Sequence, residues 1–167
     1  MTRFFRPQSL LEALETLADS DLMAVPVAGC TDLMVVDHAT GRTHPGVVDM
    51  LSIPELQGIR SIEREFEGAK TPWIDIGAAT SFSELRSNEL IREKLPILSE
   101  VSGTVGAWQI QSRATIGGNI ANASPAGDSL PILLALGAEL LVAGMGGERM
   151  IAYSEMHLGY RQTALQD

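Results

Sequence analysis

One stretch of small and polar residues, Ala114–Asp128, constrains this chain more than any other part of its sequence. It reads Ala-Thr-Ile-Gly-Gly-Asn-Ile-Ala-Asn-Ala-Ser-Pro-Ala-Gly-Asp and has too little bulk to build a core. Glycine adopts backbone angles that other residues avoid, and successive N–H groups in a turn can form a concave anion site. We therefore predict that the stretch is a loop that holds a polar ligand on the N–H groups of Thr115–Asn119. Asp128 is predicted to be the N-cap of the next helix.

A second stretch, Ala28–Leu33, has the same character. It follows the apolar run Leu22–Val27 and precedes further apolar residues. A strand, a glycine turn and a short helix in this order direct N–H groups towards a phosphate. Two such stretches about 85 residues apart could hold one extended ligand from two sides. Each is weak evidence alone, and neither matches the Gly-x-Gly-x-x-Gly fingerprint or a P-loop.

Together the two stretches resemble the FAD-binding loops of the flavoprotein subunit of molybdenum hydroxylases, the medium subunit of the xanthine dehydrogenase and carbon monoxide dehydrogenase family. The similarity runs from Phe5-Arg6-Pro7 to Gly159-Tyr160-Arg161-Gln162-Thr163. It implies an FAD-binding PCMH-type domain, related to vanillyl-alcohol oxidase, with non-covalent FAD between two lobes and its pyrophosphate on both glycine stretches. No catalytic residue and no metal ligand is expected on this chain. The residues implied to contact FAD are Val27, Ala28, Gly29, Cys30, Thr31, Asp32, Leu33, Val105, Thr115, Ile116, Gly117, Gly118, Asn119 and Asp128.

The resemblance also implies a function. The chain would be an FAD-dependent oxidoreductase subunit that accepts electrons from [2Fe–2S] clusters on one partner subunit and passes them to NAD, oxygen or a quinone. Molybdopterin would sit on another partner, which hydroxylates the organic substrate, so this chain alone would be inactive on that substrate. Family members continue past the Gly-Tyr-Arg-x-Thr segment into a C-terminal domain, which this chain is expected to lack. Two alternatives stay open: a stand-alone FAD oxidoreductase, and a truncated, flavin-free structural or interaction module.

Composition narrows the possible partners. The net charge of −9 argues against nucleic acid and anionic membranes as partners. Cys30 is the one cysteine among 167 residues, so neither an internal disulfide nor a four-cysteine cluster is possible. No apolar run is long enough to span a membrane, and a cytoplasmic location is expected. His38, His44 and His157 share no metal-ligand spacing, and a surface position is favoured for His157.

The pattern of elements predicts an α+β fold with two lobes. Residues 1–55 are expected to form a small α/β lobe, and residues 56–167 a larger lobe of mostly antiparallel strands with helices. Capping boxes at Ser9 and Ser81, each followed by Glu three residues later, predict two helix starts. Further predicted elements are strands at 22–28, 46–50, 58–65, 73–80, 138–143 and 148–153, a turn at 66–72, and helices at 31–38, 96–105 and 130–136.

Several of these residues admit two interpretations. Cys30 stands where a second glycine is usual in the family; it could be a reactive thiol with a lowered pKa, although a small residue packed beside the ligand is favoured. Asp32 and Asp128 could accept hydrogen bonds from ribose hydroxyls or ring N–H groups, or could be helix N-caps.

Other departures and aromatic residues stay open in the same way. Gln111 and Ser112 replace the Arg-Asn pair of many relatives, which leaves the contribution of that pair in doubt. Trp108 could lie against an aromatic ligand or pack in the core. Tyr153 and Tyr160 could face the flavin or a neighbouring subunit, or be buried tyrosines with one hydrogen bond.

Overall fold

A small parallel sheet organises the N-terminal lobe of the computed structural model, which describes residues 2–66 and 68–165. Its strands are β1 (Arg3–Phe5), β2 (Ala24–Val27) and β3 (Gly46–Asp49), in the order β1-β3-β2. β2 therefore lies at an edge, where Pro26 costs no ladder hydrogen bond. Proline in a sheet is typical of an edge strand or a bulge, and the strand is shorter than the predicted range 22–28.

Helices on this sheet follow the predicted caps. α1 (Leu10–Ala18) begins at Ser9, whose Oγ accepts from the Glu12 N–H at 3.2 Å. α2 (Leu33–Thr40) ends at Gly41, whose left-handed φ of 68° suits glycine. Two 3₁₀ turns, Met50–Ser52 and Pro54–Leu56, follow β3. The buried centre of this lobe is formed by Ala13, Val48 and Ile53.

The strands of the second lobe are all antiparallel, as predicted, but they form three separate pairs in the described residues rather than one sheet. The pairs are β4 (Ile59–Phe66) with β5 (Ala69–Ile76), β6 (Glu139–Gly144) with β7 (Gly147–Ala152), and β8 (His157–Gly159) with β9 (Gln162–Thr163). The first two pairs are linked by Arg64, whose Nη1 donates to Glu139 Oε2 at 2.7 Å. Its guanidinium also lies 4.8 Å from the ring centre of Trp73.

Six short helices supply most of the second core. They are α3 (Phe82–Ser87), α4 (Glu89–Lys94), α5 (Pro96–Ser102), α6 (Trp108–Gln111), α7 (Ile116–Asn122) and α8 (Ser129–Ala135). The core includes Phe82, Leu85, Ile91, Leu98 and Met156, each fully buried. The two hydrophobic cores lie on either side of the predicted boundary near residue 55, and that boundary itself stays a prediction.

Several elements differ from the sequence prediction, among them β5, which ends at Ile76 rather than at residue 80, and α2, which spans Leu33–Thr40 rather than residues 31–38. The hairpin turn expected at 66–72 is tighter, because Thr71 and Pro72 already belong to β5, opposite Arg64 and Glu63; Glu67 lies outside the described residues. α5 ends at Ser102 rather than at residue 105. α4 was not predicted, although Asn88 marks its start by accepting from the Ile91 N–H at 3.2 Å. The predicted domain limits include Met1, Gln166 and Asp167, which also lie outside the described residues.

Candidate functional site

The first glycine segment, Ala28–Leu33, leaves its backbone donors open. It joins the edge strand β2 to α2, and every residue from Val27 to Leu33 is half-buried. The N–H groups of Gly29, Cys30, Thr31 and Asp32 donate to no other residue in the part of the chain that the structure describes. Because these N–H groups have no acceptor in the described protein, they can donate to an anionic group such as a phosphate.

The backbone at Cys30 has a conformation that suits glycine. Its φ of 58° lies in the left-handed region, which a residue with a Cβ adopts at a cost. Its Sγ donates to the Ala28 carbonyl at 3.4 Å. Burial raises the pKa of the Cys30 thiol above its ordinary value; the nearby Arg113 opposes this, and Asp49 and Asp37 add to it. Desolvation of the thiol favours its neutral form, which agrees with the favoured interpretation of Cys30 as a small packed residue rather than a thiol of lowered pKa.

The two glycine segments meet in the folded chain. Gly29 lies against the backbone of Arg113 and Ala114, immediately before the Thr115 that opens α7. A Cβ at position 29 would overlap the Arg113 carbonyl oxygen. Only glycine permits this approach, and it brings the open N–H groups of the first segment beside the start of the second.

The second glycine segment, Ala114–Asp128, corrects the sequence prediction. Much of it is not a loop: α7 occupies Ile116–Asn122 with Thr115 as its N-cap, and only residues 123–128 connect α7 to α8 without regular structure. The predicted anion site on Thr115–Asn119 is wrong in its mechanism, because the N–H groups from Ile116 to Asn119 all donate within the protein. Their acceptors are Thr80 O (3.0 Å), Ala78 O (2.9 Å), Thr115 Oγ1 (3.1 Å) and Thr115 O (2.9 Å), in chain order.

The loop prediction failed because two isoleucines of this segment are buried in the core. Ile116 and Ile120 face the core at helical spacing, and they are only 4% and 7% exposed. Gly117 packs against Ala78, two residues after the end of β5. A Cβ at position 117 would lie 2.6 Å from the Ala78 Cβ. The glycines of this segment therefore permit close packing of the protein on itself, and Gly118 is the exposed one.

The two predicted carboxylates, Asp32 and Asp128, occupy the N-cap positions of α2 and α8, but their side chains do not cap the helices. Asp32 Oδ2 instead accepts from Arg161 Nη1 at 3.1 Å. Asp128 is exposed. Its helix is tied to the second glycine segment by Ser129, whose Oγ donates to Asn119 Oδ1 at 2.7 Å.

Gln111 has a structural role that the sequence did not show. It is 4% exposed, and its Nε2 donates to the carbonyls of Gly103 (2.9 Å) and Gly106 (3.4 Å). Its Oε1 accepts from Arg86 Nη1 at 3.4 Å. These bonds fix the bend that carries Val105, a half-buried residue packed on the second core.

Burial separates some of the alternatives that the sequence left open for the aromatic and histidine side chains. Trp108 is 71% exposed, so it does not pack in the core. Tyr153 is buried with one partner, His157 Nε2 at 3.0 Å, and burial raises the pKa of Tyr153 to about 12. His157 is thus half-buried and paired rather than a surface residue. Tyr160 is 75% exposed.

Two findings concern the described residues as a whole. In residues 2–66 and 68–165, no cluster of three or more His, Cys, Asp or Glu side chains could hold a metal ion. Over the same residues, no helix combines the length and apolarity needed to cross a membrane. Sequence reasoning did not place Arg113 or Arg161 at the site, because a sequence does not show which distant residues the fold brings to the first glycine segment.

Comparison with known proteins gives one consistent family. The family described as "FAD binding domain in molybdopterin dehydrogenase" matches residues 1–167. The chain is 32% identical over 165 residues to the caffeine dehydrogenase subunit beta of Pseudomonas sp. strain CBB1, covering 98% of this chain and 53% of that protein. It is also 32% identical over 163 residues to the carbon monoxide dehydrogenase medium chain of Afipia carboxidovorans, covering 98% and 54%.

The fold agrees with this match. A solved carbon monoxide dehydrogenase from Hydrogenophaga pseudoflava superposes with a TM-score of 0.88 at 28% identity, over 99% of this chain and 55% of that one. The α+β fold class predicted from the sequence is thereby confirmed. The chain spans about half the length of the relatives it matches.

Proposed function

The chain belongs to the family of FAD-binding domains in molybdopterin dehydrogenases, and on that premise we propose that it is the electron-transferring FAD domain of a molybdenum hydroxylase. It would accept electrons from [2Fe–2S] clusters on one partner subunit and pass them to NAD, oxygen or a quinone. Molybdopterin would reside on a further partner, where the organic substrate is hydroxylated. The proposed location is the cytoplasm, in keeping with a sequence that has one cysteine and thus no disulfide framework.

One observation carries the proposal: the contact of Gly29 with the backbone of Arg113 and Ala114. It assembles the two segments that the family uses for FAD, although they are far apart in sequence. The chain fits the cofactor at this junction, because the first segment offers four N–H groups without partners and the glycines leave room for a close approach.

Each group at the junction has a proposed role. The N–H groups of Gly29–Asp32 bind the pyrophosphate, and Arg113 adds a positive charge near them. Asp128, with the Oδ1 of Asp32, accepts hydrogen bonds from ribose hydroxyls. Thr115, Ile116 and Gly117 are proposed to shape the site, since the Thr115 hydroxyl and the N–H groups of Ile116 and Gly117 form hydrogen bonds within the protein.

The chemistry is expected to belong to the cofactor. Bound FAD supplies the capacity to take up two electrons and release them singly or as a pair. The chain's own residues bind it, exclude water from it and orient it, and none is needed as a general acid or base. This agrees with the site, where the Cys30 thiol is held neutral and the carboxylates are placed to accept hydrogen bonds.

The test is a visible absorption spectrum of the purified chain after incubation with FAD or with FMN and desalting. We expect a flavin spectrum near one FAD per chain and none with FMN, because FMN lacks the adenosine and half of the pyrophosphate. A chain that retains neither flavin would contradict the proposal and favour the flavin-free module. An FAD-loaded chain that oxidises an organic substrate unaided would favour the stand-alone oxidoreductase.

A further inference from the structure

We propose that Arg161 is a positioning residue that clamps the two glycine segments together for FAD binding. The inference rests on the proposed function and extends it to a residue outside both segments. Arg161 lies in the turn between β8 and β9, far along the chain from Asp32 and from Asn122. Its guanidinium reaches both of these residues.

The geometry of the clamp is a bridge through one nitrogen. Arg161 Nη1 donates to Asp32 Oδ2 at 3.1 Å and to Asn122 Oδ1 at 2.8 Å. Asp32 stands at the start of α2, directly after the open N–H groups, and Asn122 is the last residue of α7. The bridge therefore joins α2, which follows the first glycine segment, to α7, which lies within the second.

This contact has no substitute in the described part of the chain. Of the ion pairs there, Arg161–Asp32 is the only one that joins a residue before position 56 to one after it. The other close junction at the site, Gly29 against Arg113, is a backbone contact without a charge. Loss of Arg161 would leave the two lobes held at this site by packing alone.

Electrostatics gives the clamp a second effect. Asp32 would place a negative charge beside the N–H groups that are proposed to bind a pyrophosphate, on a chain that already carries −9. A guanidinium hydrogen-bonded to the carboxylate offsets that charge. Because Arg161 uses Oδ2, the Oδ1 of Asp32 stays available for a ribose hydroxyl.

The backbone at Arg161 has a conformation that is unfavourable for a residue with a Cβ. Its φ is 52°, in the left-handed region that glycine or asparagine would occupy more easily. The hydrogen bond to Asp32 also raises the pKa of Arg161 above its ordinary value, so the cation persists at every pH of interest. Arg161→Gly is thus an informative variant, since it removes the guanidinium and relieves the backbone.

The experiment measures FAD binding by the full chain, using flavin fluorescence, for Arg161→Gly, Arg161→Lys and Asp32→Asn. Arg92→Ala is the matched control, because Arg92 is exposed on α4 and forms no ion pair among the described residues. We expect Arg161→Gly to raise the Kd for FAD about tenfold, the loss of one charge-assisted hydrogen bond. Arg161→Lys should restore part of the affinity, and Arg92→Ala should bind like the unaltered chain.

Two further readouts separate positioning from general stability. The effects of Arg161→Gly and Asp32→Asn should be less than additive, because both remove the same contact. Without FAD, hydrogen exchange at Met34 and Val36 in α2 should be faster in Arg161→Gly, since their bonds to Cys30 O and Asp32 O depend on a fixed segment.

The outcomes for the clamp and for the proposed function are distinguishable. FAD uptake by the unaltered chain together with unchanged affinity and exchange in Arg161→Gly would overturn the clamp and leave the proposed function standing. A chain that takes up no FAD contradicts the proposed function. In that case, faster exchange in α2 would still support a clamp between the lobes, and unchanged exchange would overturn it.

Discussion

At the scale of single residues, the site depends on the absence of a side chain at position 29. Gly29 does not have a positive φ; it is required because the backbone of Arg113 and Ala114 occupies the space of a Cβ. The same reason explains Gly117 against Ala78. Both contacts are invisible in a single sequence, which shows a glycine but not the atoms around it.

We predict that Gly29→Ala lowers the free energy of unfolding by about 1–3 kcal/mol, the usual cost of overpacking. The added Cβ would push the two glycine segments apart, so FAD affinity should fall as well. The measurements are urea unfolding and an FAD titration. Gly144→Ala is the control, because nothing lies within 4 Å of a Cβ at that position, and its effect should stay within about 0.5 kcal/mol. Equal effects of the two variants would argue against the close contact.

Cys30 gives a prediction about pH. Burial raises the pKa of its thiol in the folded chain, so the folded state holds the proton to higher pH than the unfolded state does. The thiol therefore contributes stability at pH values below the ordinary thiol pKa, and this contribution is lost as the pH rises above it. Alkylation by iodoacetamide should begin at higher pH in the folded chain than in urea. Labelling of the folded chain at the same or lower pH would contradict the raised pKa.

At the scale of elements, the second glycine segment is held by α3. An isolated β-bridge pairs Ser81 with Thr115. On either side of it, Phe82 N donates to Ala114 O at 3.1 Å and Ile116 N donates to Thr80 O at 3.0 Å. The capping box that starts α3 thus also fixes the start of α7.

We predict that Ser81→Ala destabilises the chain by about 1 kcal/mol, as loss of an N-cap does. Ser81 Oγ accepts from the Glu84 N–H at 3.2 Å, and Glu84 Oε2 accepts from the Ser81 N–H at 2.8 Å. Thermal or urea unfolding measures the change. Ser20→Ala, at an exposed position outside the helices, should leave stability unchanged; a similar loss in both variants would mean that the cap contributes nothing specific.

At the scale of the whole molecule, the proposed FAD site lies between two small hydrophobic cores. One centres on Ala13, Val48 and Ile53, and the other on Phe82 and its neighbours. The first segment belongs to the former lobe and the second to the latter. A ligand at their junction would therefore stabilise the contact between the lobes as well as its own segment.

We predict that FAD at about 100 times its Kd stabilises the folded chain by roughly 2.7 kcal/mol, which raises Tm by about 5–10 °C for a chain of this size. Differential scanning calorimetry with and without FAD measures the shift. FMN is the control and should produce little change. A Tm that does not respond to FAD at concentrations where absorption shows binding would mean that the ligand does not bind preferentially to the native state.

Much of this protein was determined by local sequence. Ser9 and Ser81 fixed two helix starts, Gly41 fixed a helix end, and Pro26 placed β2 at an edge, because caps, glycine angles and the missing proline N–H act within a few residues. The two glycine segments indicated where the backbone approaches other atoms closely. Their resemblance to the FAD-binding loops of molybdenum hydroxylases indicated FAD as the ligand.

Only the tertiary structure determined which atoms lie beside the backbone of the two glycine segments. The second glycine segment folds as α7 because the distant carbonyls of Ala78 and Thr80 accept its N–H groups and the core accepts its isoleucines. The first segment keeps its N–H groups open because no such acceptors lie beside it in the described chain. Arg161 became part of the site only when β8 and β9 brought it to Asp32 and Asn122. Long-range contacts of this kind depend on how whole elements pack, and no local pattern of residues encodes them.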